Sequence, residues 1–293
     1  MMHAERLVRA GFRLASHIAP SHTGRAAFRL FCSPKRSKSL SPGEKRLAAQ
    51  MRPVMEAAEH RTIEHAGGKV RAYRWRVEDG APHGRVLLLH GWTGRALVMS
   101  GFVQPLLDRG LEVVAFDLPA HGKSSGTQLT LPLGALAMQA VAAEFGPLTG
   151  VITHSFGGPI ALLAMEGGAP LERGLDVPRI VMIAAPNWLD RVTTLFGNRI
   201  GLNERAQSAL EGEILRLARR PVEAFRGDAF LRRSRATALV IHDEDDAVVA
   251  FDSAEAMVKG NPQARLLATK GLGHRRIIVA RQVVTAAAEF VAL

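Results

Sequence analysis

Short apolar runs alternate with longer stretches of helical character along most of this chain of 293 residues. From residue 85 onward there are six such runs, each rich in Val, Leu or Ile. Strands that are buried on both faces of a parallel sheet have this continuous apolar character, and helices connect them. The pattern therefore predicts an α/β fold, with a mostly parallel sheet covered by helices on both faces. The six runs are residues 85–91, 111–117, 150–155, 179–185, 237–243 and 264–271.

Two further strands are predicted just before the first run. The segments RTIEHAG and KVRAYRWRV flank Gly67 and Gly68 and alternate between polar and apolar positions. Alternation with a period of two around a pair of glycines is typical of a β-hairpin. We expect this hairpin to lie at one edge of the sheet, which then has eight strands.

About fifty residues separate the fourth run from the fifth, far more than one crossover between strands requires. We call residues 186–235 the helical insertion, because residues 203–219 within it have clear helical spacing. An insertion of this length is predicted to form a small lid over the carboxyl edge of the sheet. The core then comprises residues 53–185 and 236–293.

The N-terminal arm, residues 1–52, differs from the rest of the chain in charge. It contains eleven Lys or Arg residues against two acids, Glu5 and Glu44, and so carries +9 of the net charge of +11. A helix over ERLVRAGFRLASHIA gathers its apolar side chains on one broad face and its arginines on the opposite one. Such a helix can cover an apolar patch of its own protein, lie on an anionic membrane surface or act as an organelle transit peptide.

The rest of the arm is predicted to contain a second short helix, RAAFRLF, and a solvated linker over residues 33–45. The single cysteine, Cys32, allows no intramolecular disulfide and is interpreted as a small apolar side chain in a reducing compartment.

The sequence predicts no membrane span. The longest uncharged run, residues 124–143, contains Pro132 and is interpreted as a loop followed by a buried helix. Arginines near the N-terminus interrupt any apolar core of a secretory signal. We therefore expect a cytoplasmic protein, whose arm could contact the inner face of a membrane.

Candidate chemistry lies in GVITHSFGGPIALL, residues 150–163, where an apolar strand passes directly into a helical stretch. A serine on such a sharp turn, the nucleophile elbow, faces the amino terminus of the following helix. The turn requires small neighbours, and Gly157 and Gly158 follow Ser155 closely. Thr153 stands where the motif has glycine, which predicts either tight packing or a shifted turn. Ser155 is the candidate nucleophile.

A serine hydroxyl needs a general base to take its proton and an acid to orient that base. The loop that follows the fifth run offers four acids at residues 243–246, and the loop after the sixth offers His274 behind two glycines. Because both loops follow parallel strands, we expect them at the same sheet edge as Ser155. The chain order Ser, acid, His fits a serine hydrolase.

Four motifs resemble those of the α/β-hydrolase superfamily, over roughly residues 61–293. They are HGWTG at 90–94, DLPAHGKSSG at 117–126, THSFGG at 153–158, and HDEDDAVV together with GLGH at 242–249 and 271–274. The resemblance implies the α/β-hydrolase fold with a helical lid. It also implies that the acid is Asp246, the fifth residue of the family's H-G-x-x-D-x-x-V pattern, while Asp245 and Asp190 are the alternatives. Asp243 occupies the position at which that pattern has glycine.

The same resemblance implies an oxyanion hole formed by the backbone N–H groups of Trp92 and Phe156. His90, Gly91 and Gly157 are then supporting residues of the surrounding loops. Three further histidines, at positions 121, 154 and 242, are expected to orient backbone or to be structural.

The resulting hypothesis is a serine hydrolase that cleaves a small-molecule carboxylic ester, acyl or lipid-like, through an acyl-enzyme. Apolar residues of the helical insertion, together with Trp92, predict a hydrophobic acyl pocket, although they could simply dock the lid. They are Trp188, Leu189, Leu195 and Phe196. The same triad could instead serve C–C bond hydrolysis, acyl transfer or perhydrolysis, and a non-catalytic binding protein on this fold is a further alternative.

Other classes of partner are not supported. The histidine spacing matches no zinc motif and the glycine-rich stretches match no nucleotide motif, so neither a metal nor a cofactor is predicted. The basic arm lacks interleaved aromatic residues, which argues against nucleic acid. The sequence gives no indication of the oligomeric state.

Overall fold

The computed structural model of the chain describes residues 2–34, 42–78 and 81–293. These residues form one eight-stranded sheet with helices around it. The strands are β1 Glu59–His65, β2 Gly68–Trp75, β3 Gly84–Leu89, β4 Leu111–Phe116, β5 Gly150–His154, β6 Arg179–Ile183, β7 Thr237–Asp243 and β8 Ala264–Thr269. The helices are α1 Met2–Ile18, α2 Pro20–Phe31, α3 Pro42–Gln50, α4 Arg52–Glu56, α5 Val103–Leu107, α6 Leu131–Phe145, α7 Gly157–Glu166, α8 Leu189–Ile200, α9 Glu204–Ala218, α10 Gly227–Arg233, α11 Asp252–Val258, α12 Gly273–Arg276 and α13 Arg281–Ala292. Short 3-10 helices span Ala96–Phe102, Val222–Ala224 and Ile277–Val279.

The strand order across the sheet is β1-β2-β4-β3-β5-β6-β7-β8. The hairpin of β1 and β2 lies at one edge, and β2 pairs with β4 in antiparallel fashion. Every pair from β4 through β8 is parallel. The predicted α/β fold, with its edge hairpin, is therefore confirmed.

The core lies on both faces of the sheet, because successive side chains of a strand point to opposite faces. In β3, Leu87 and Leu89 pack in the cluster that contains α6 and α7, whereas Val86 and Leu88 pack in the cluster that contains α5 and α13. All four side chains are fully buried. Each such burial contributes about 1.5–3 kcal/mol, which explains the continuous apolar character of the central strands.

The uncharged run at residues 124–143 forms a loop followed by α6, as predicted. The Thr130 hydroxyl accepts a hydrogen bond from the Leu133 N–H at 3.2 Å and so caps the helix. Pro132 lies in the first turn, where its missing N–H costs nothing. Among the described residues, no helix is both long enough and apolar enough to cross a bilayer.

The helical insertion contains α8, α9 and α10. The predicted helix at residues 203–219 is confirmed as α9, which begins after Asn203 and ends before Arg219. The Asn203 side-chain oxygen accepts a hydrogen bond from the Ala206 N–H at 2.9 Å. The two ends of the insertion meet at its base, where the Leu189 N–H donates to the Phe225 carbonyl at 3.2 Å.

The first part of the arm packs against the insertion, which is the first of the three alternatives for this segment. At Gly24 in α2, an added Cβ would lie 2.4 Å from the Ala206 carbonyl oxygen and 2.5 Å from the Ala209 Cβ, so α2 and α9 touch backbone to backbone. The Asn203 amide donates to the Ser16 carbonyl at 2.9 Å and holds α1 beside them. Burial raises the pKa of the Cys32 thiol to about 12, which suits its interpretation as an apolar side chain.

Directly after the arm, α4 contacts the other face of the sheet, where the Trp75 indole N–H donates to the Val54 carbonyl at 2.6 Å. The predicted linker is wrong for residues 42–45, because α3 already begins at Pro42. Proline at the first helical position is a common start that the linker interpretation overlooked. Residues 35–41 of that linker lie outside the described residues.

The contact between α2 and α9 generates a prediction about stability. We expect Gly24→Ala to lower the free energy of unfolding by about 1–3 kcal/mol, because the added methyl meets backbone atoms that cannot yield. Gly11→Ala in α1 is the matched control, since nothing lies within 4 Å of its added Cβ. In that control, the free energy of unfolding should instead rise by about 0.5–1 kcal/mol, because alanine has a higher helix propensity than glycine. Urea unfolding measures both, and equal effects of the two substitutions would contradict the close contact.

Candidate active site

Three side chains that are far apart in the sequence meet at the carboxyl edge of the sheet. Ser155 follows β5, Asp246 follows β7 and His274 follows β8. The Ser155 Oγ lies 3.0 Å from the His274 Nε2, and the His274 Nδ1 lies 2.8 Å from the Asp246 Oδ2. Parallel strands present their carboxyl ends on one edge, and this brings together residues separated by more than a hundred positions.

The direction of these hydrogen bonds follows from the acid. An ionised carboxylate can only accept hydrogen bonds, so the His274 Nδ1 carries the proton that it donates to Asp246. The neutral ring then has a lone pair on Nε2, which accepts the hydrogen bond from the Ser155 hydroxyl. This arrangement leaves Nε2 free to take the serine proton.

Ser155 lies on a tight turn between β5 and α7, with a φ of +51° that side chains rarely adopt. Its N–H donates to the Ile183 carbonyl at 2.8 Å, which fixes the turn to β6. Close packing explains the glycine that follows, since a Cβ on Gly157 would lie 2.7 Å from the Leu89 carbonyl oxygen. The turn therefore has the local geometry predicted from the sequence.

Thr153 resolves the question raised by the missing upstream glycine. It is fully buried, and its hydroxyl donates to the Val181 carbonyl at 3.0 Å. Of the two expectations for this position, tight packing is therefore the one realised.

The loop after β3 lies directly against the turn. A Cβ on Gly91 would be 2.8 Å from the Ser155 Cβ, so only glycine allows this approach. The Trp92 ring packs edge-on against the Phe156 ring, with centroids 5.5 Å apart. Among the described residues, no carbonyl or side chain accepts a hydrogen bond from the backbone N–H of Trp92 or Phe156. The two predicted oxyanion donors are thus neighbours with uncommitted N–H groups.

Two buried histidines hold this loop in place. The His90 Nδ1–H donates to the Gly91 carbonyl at 2.8 Å, and its Nε2 accepts from the Leu118 N–H at 3.0 Å. The His121 Nε2 accepts from the Thr93 N–H at 3.1 Å. Burial, and then the neighbouring His121, lower the pKa of His90 to about 3, so the ring is neutral and keeps one donor and one acceptor.

Asp246 is buried and ionised. Its Oδ1 accepts hydrogen bonds from the N–H groups of Val248 at 2.8 Å and Val249 at 3.0 Å. Burial by itself raises the pKa of Asp246, but the hydrogen bonds from His242, from His274 and from these two amides outweigh it, so the pKa lies well below its usual range. The carboxylate that faces His274 therefore stays charged at neutral pH.

The alternative acids lie elsewhere. Asp245 is exposed and accepts a hydrogen bond from the Gly271 N–H at 3.0 Å. Asp190 belongs to the first turn of α8 and makes no contact with His274 among the described residues. Of the three candidates, only Asp246 is hydrogen-bonded to the imidazole.

Asp243 is a buried acid whose structural role the sequence reasoning missed. It is fully buried, and its carboxylate accepts four hydrogen bonds, from the Thr269 hydroxyl at 2.7 Å and from the N–H groups of Leu272 at 3.0 Å, Gly273 at 2.9 Å and Asp245 at 3.1 Å. Because its donors lie on β8 and immediately before His274, Asp243 fixes the loop that carries His274. The available signal was an acid at the end of a buried strand, facing a loop with two glycines.

The two remaining histidines agree with their expected supporting roles. The His154 Nε2–H donates to the His274 carbonyl at 2.9 Å, and burial, followed by the neighbouring His274, lowers the pKa of His154 to about 4. The His242 Nε2–H donates to the Val249 carbonyl at 2.9 Å and lies 3.4 Å from the Asp246 carboxylate. Both rings therefore stabilise the loops that carry His274 and Asp246.

A narrow apolar gap separates Phe156 from the helical insertion, with a volume of about 10 Å³, roughly the space for one water molecule. Leu189, Phe225 and Phe230 line it from the insertion. Of the insertion residues that were expected to form an acyl pocket, only Leu189 lines this gap, because helical spacing alone does not tell which apolar side chains face it. Trp188 stacks on the Arg191 guanidinium, Leu195 is 67% exposed and Phe196 contacts the Phe31 ring.

Solved structures with the same fold were found among bacterial and archaeal enzymes. A bacterial membrane phospholipase A described as a virulence factor is 18% identical, with a TM-score of 0.60 over 85% of this chain and 91% of that one. Est1E from Butyrivibrio proteoclasticus, solved with ferulic acid, is 18% identical, with a TM-score of 0.62 over 79% and 96%. The Pyrococcus furiosus esterase Pf2001 is 21% identical, with a TM-score of 0.60 over 88% and 97%. At these identities the likeness establishes the fold alone.

No curated protein matches the sequence. The model of the alpha/beta hydrolase family, in contrast, matches residues 86–288, well over half of the chain. The matched region runs from β3 into α13 and includes Ser155, Asp246 and His274. The protein is therefore a member of the alpha/beta hydrolase family.

Proposed function

We propose that the protein is a serine hydrolase that cleaves carboxylic esters, with Ser155 as nucleophile, His274 as general base and Asp246 as the acid that orients the imidazole. The observation that carries this proposal is the unbroken hydrogen-bond chain from the Asp246 carboxylate through His274 to the Ser155 hydroxyl. Family membership supports a hydrolase, and the serine at the turn supports acyl chemistry.

The first half of the reaction forms an acyl-enzyme. His274 takes the hydroxyl proton on Nε2 while the Ser155 Oγ attacks the carbonyl carbon of the ester, and the carbonyl electron pair moves onto oxygen. The N–H groups of Trp92 and Phe156 stabilise that oxyanion, and in other hydrolases one such donor is worth about 2.7–4 kcal/mol of barrier. The oxyanion then collapses, the C–O bond to the alcohol breaks, and His274 returns the proton to the leaving oxygen.

The second half repeats these steps with water. His274 takes a proton from the water as its oxygen attacks the acyl carbon, and the collapsing intermediate expels Ser155 Oγ, which recovers the proton. Asp246 stays ionised throughout and stabilises the imidazolium that forms in each half. The depressed pKa of the Asp246 carboxyl supports this role.

The helical insertion fits the role of a lid over the acyl side of the site. Its apolar side chains narrow the gap beside Phe156 to about the volume of one water molecule. An acyl group therefore enters only when Leu189 and Phe230 move away from Phe156. Expulsion of water by such a lid strengthens the electrostatic interactions at the reacting carbonyl. The apolar lining supports acyl esters over charged substrates.

The nucleophile is tested with p-nitrophenyl esters of graded acyl length and with a fluorophosphonate probe. We expect wild-type protein to hydrolyse the esters and to be labelled, and Ser155→Ala to lose labelling and about 10⁶-fold in kcat. Ser208→Ala, on the exposed side of α9, is the matched control and should keep both properties. A folded wild-type protein that neither hydrolyses any ester nor reacts with the probe would favour a binding protein; cleavage of vinylogous diketones in preference to esters would favour C–C hydrolysis.

The acid is tested by conservative amide substitutions. Asp246→Asn should lower kcat by about 10⁴-fold, because an amide no longer selects the His274 tautomer with its proton on Nδ1. Asp245→Asn and Asp190→Asn remove carboxylates that do not contact the imidazole, so we expect them to keep the wild-type kcat. A large loss of kcat in Asp245→Asn with a normal Asp246→Asn would assign the acid to the exposed neighbour.

Asp243 is expected to contribute pH-dependent stability to the loop that carries His274. Burial raises its pKa, but hydrogen bonds from the Gly273 N–H, the Thr269 hydroxyl and other donors outweigh this, so the folded pKa lies below the unfolded one. The stabilisation is therefore complete above about pH 5 and is lost as the pH falls toward the folded pKa.

Accordingly, Asp243→Asn should lower the free energy of unfolding at pH 7 by about 1.5–3 kcal/mol, the range for hydrogen bonds to a charged group. The difference from wild type should shrink between about pH 5 and pH 3, since only wild type loses the carboxylate contribution there. Urea unfolding of both proteins across this pH range measures the difference in the free energy of unfolding. Asp108→Asn, at an exposed position, controls for the change in net charge, and a difference that is constant with pH would contradict the assignment.

A further inference from the structure

The outer face of α1 carries an apolar stripe that no described residue covers. We call Leu7, Leu14 and Ile18 the outer stripe; their side chains are 74%, 66% and 76% exposed. Their spacing of seven and four residues places them within about 40° of one another on a helix. Single exposed apolar residues are common, but a row of three along one helix face is a feature that marks an interaction surface.

This stripe is not a consequence of loose docking, because the opposite side of α1 is well anchored. Ser16 is buried and its carbonyl accepts the hydrogen bond from Asn203. Phe12 packs against the core, and the Glu5 carboxylate accepts a hydrogen bond from the Arg199 guanidinium at 3.1 Å. At about 100° per residue, these anchors lie roughly 160° around the helix from the outer stripe.

Exposed cationic side chains flank the stripe. Arg6 and Arg13 are both exposed, and they lie about 100–120° from its centre on one side of the helix. The arm that contains them carries +9 of the net charge of +11. A helix that lies in a membrane interface has this distribution, with apolar residues toward the acyl chains and arginines at the level of the headgroups.

We propose that α1 docks on the surface of a bilayer that contains anionic lipids. The helix lies parallel to the surface, the outer stripe enters the boundary between headgroups and acyl chains, and Arg6 and Arg13 contact lipid phosphates. The folded body stays on the other side of α1, attached through α2, α8 and Asn203. This inference goes beyond the proposed hydrolysis and does not depend on it.

A second copy of the chain is a poorer occupant of the same face. An antiparallel pair of two outer stripes would place the arginines of both copies on the same side of the pair, and like charges across an interface are destabilising. Three side chains also form a much smaller patch than the roughly 800 Å² that each partner contributes to a stable interface. Anionic headgroups, in contrast, neutralise the arginines.

The test uses the full chain with Ser155→Ala, so that no lipid is hydrolysed, and co-sedimentation with vesicles. We expect binding to phosphatidylcholine–phosphatidylglycerol vesicles, weaker binding to pure phosphatidylcholine, and a loss of affinity as the salt concentration rises. Replacing the whole stripe, Leu7→Gln with Leu14→Gln and Ile18→Gln, should weaken binding about a hundredfold without changing the charge. Arg6→Gln should weaken it about fivefold.

Two exposed positions away from α1 serve as matched controls. Val279→Gln removes a half-exposed apolar side chain and Arg61→Gln removes an exposed arginine of β1, and both should bind like the parent. Circular dichroism and the unfolding transition establish that each variant is folded. The proposal is overturned if the parent protein does not bind the anionic vesicles, or if the stripe variant binds them as well as the controls do. A parent dimer that the stripe variant converts to monomer, with vesicle binding unchanged, would assign the face to a second copy.

Discussion

The left-handed backbone at Ser155 is possible only because the surrounding segments lack side chains where they approach most closely. A residue held at such a φ costs about 1–3 kcal/mol, which the rest of the structure must offset. The loop after β3 passes beneath it at Gly91, and the first turn of α7 touches the β3 carbonyls at Gly157. The buried strands β3, β5 and β6 hold these segments in place and thereby keep the hydroxyl of Ser155 pointing out of the sheet edge.

Three acids at or near the ends of strands organise loops at this edge. Asp117, after β4, accepts hydrogen bonds from the N–H groups of Ala96 at 2.8 Å and Lys123 at 2.9 Å. Asp243, at the end of β7, fixes the loop that precedes His274. The Oδ1 atom of Asp246 accepts hydrogen bonds from the N–H groups of Val248 and Val249 and so stabilises its own loop. A buried carboxylate is costly unless several donors surround it, so these acids stay in place only when the loops are correctly folded. The same interactions that satisfy buried charge thus align the proposed catalytic groups.

The sequence predicted those parts of the molecule that depend on regular periodicity. The apolar runs located the central strands, and the helical spacing at residues 203–219 located α9, because both patterns follow directly from backbone geometry. Motif resemblance selected Asp246 rather than Asp245, and the structure brings Asp246 to His274. The role of Asp243 was missed because three of its four donors lie 26 to 30 residues away in the sequence, and the position of an acid at a strand end does not reveal such partners. The same limit applies to the gap beside Phe156, since Trp188 contacts the Arg191 guanidinium and Phe196 contacts Phe31 of α2 instead of lining it.

The amphipathic pattern of α1 was ambiguous because one broad apolar face serves two environments. Phe12 packs against the core, while the side chains of Leu7 and Ile18 are exposed. The sequence of α1 does not show which apolar side chains are buried, because that depends on the position of α8. In the structure, α8 joins the apolar gap beside Phe156 to α1. It begins with Leu189 at the gap and ends beside α1, about 18 Å away at a rise of 1.5 Å per residue. The helix that lines the gap at Leu189 therefore also makes contacts that divide the apolar face of α1, through Arg199 and Glu5.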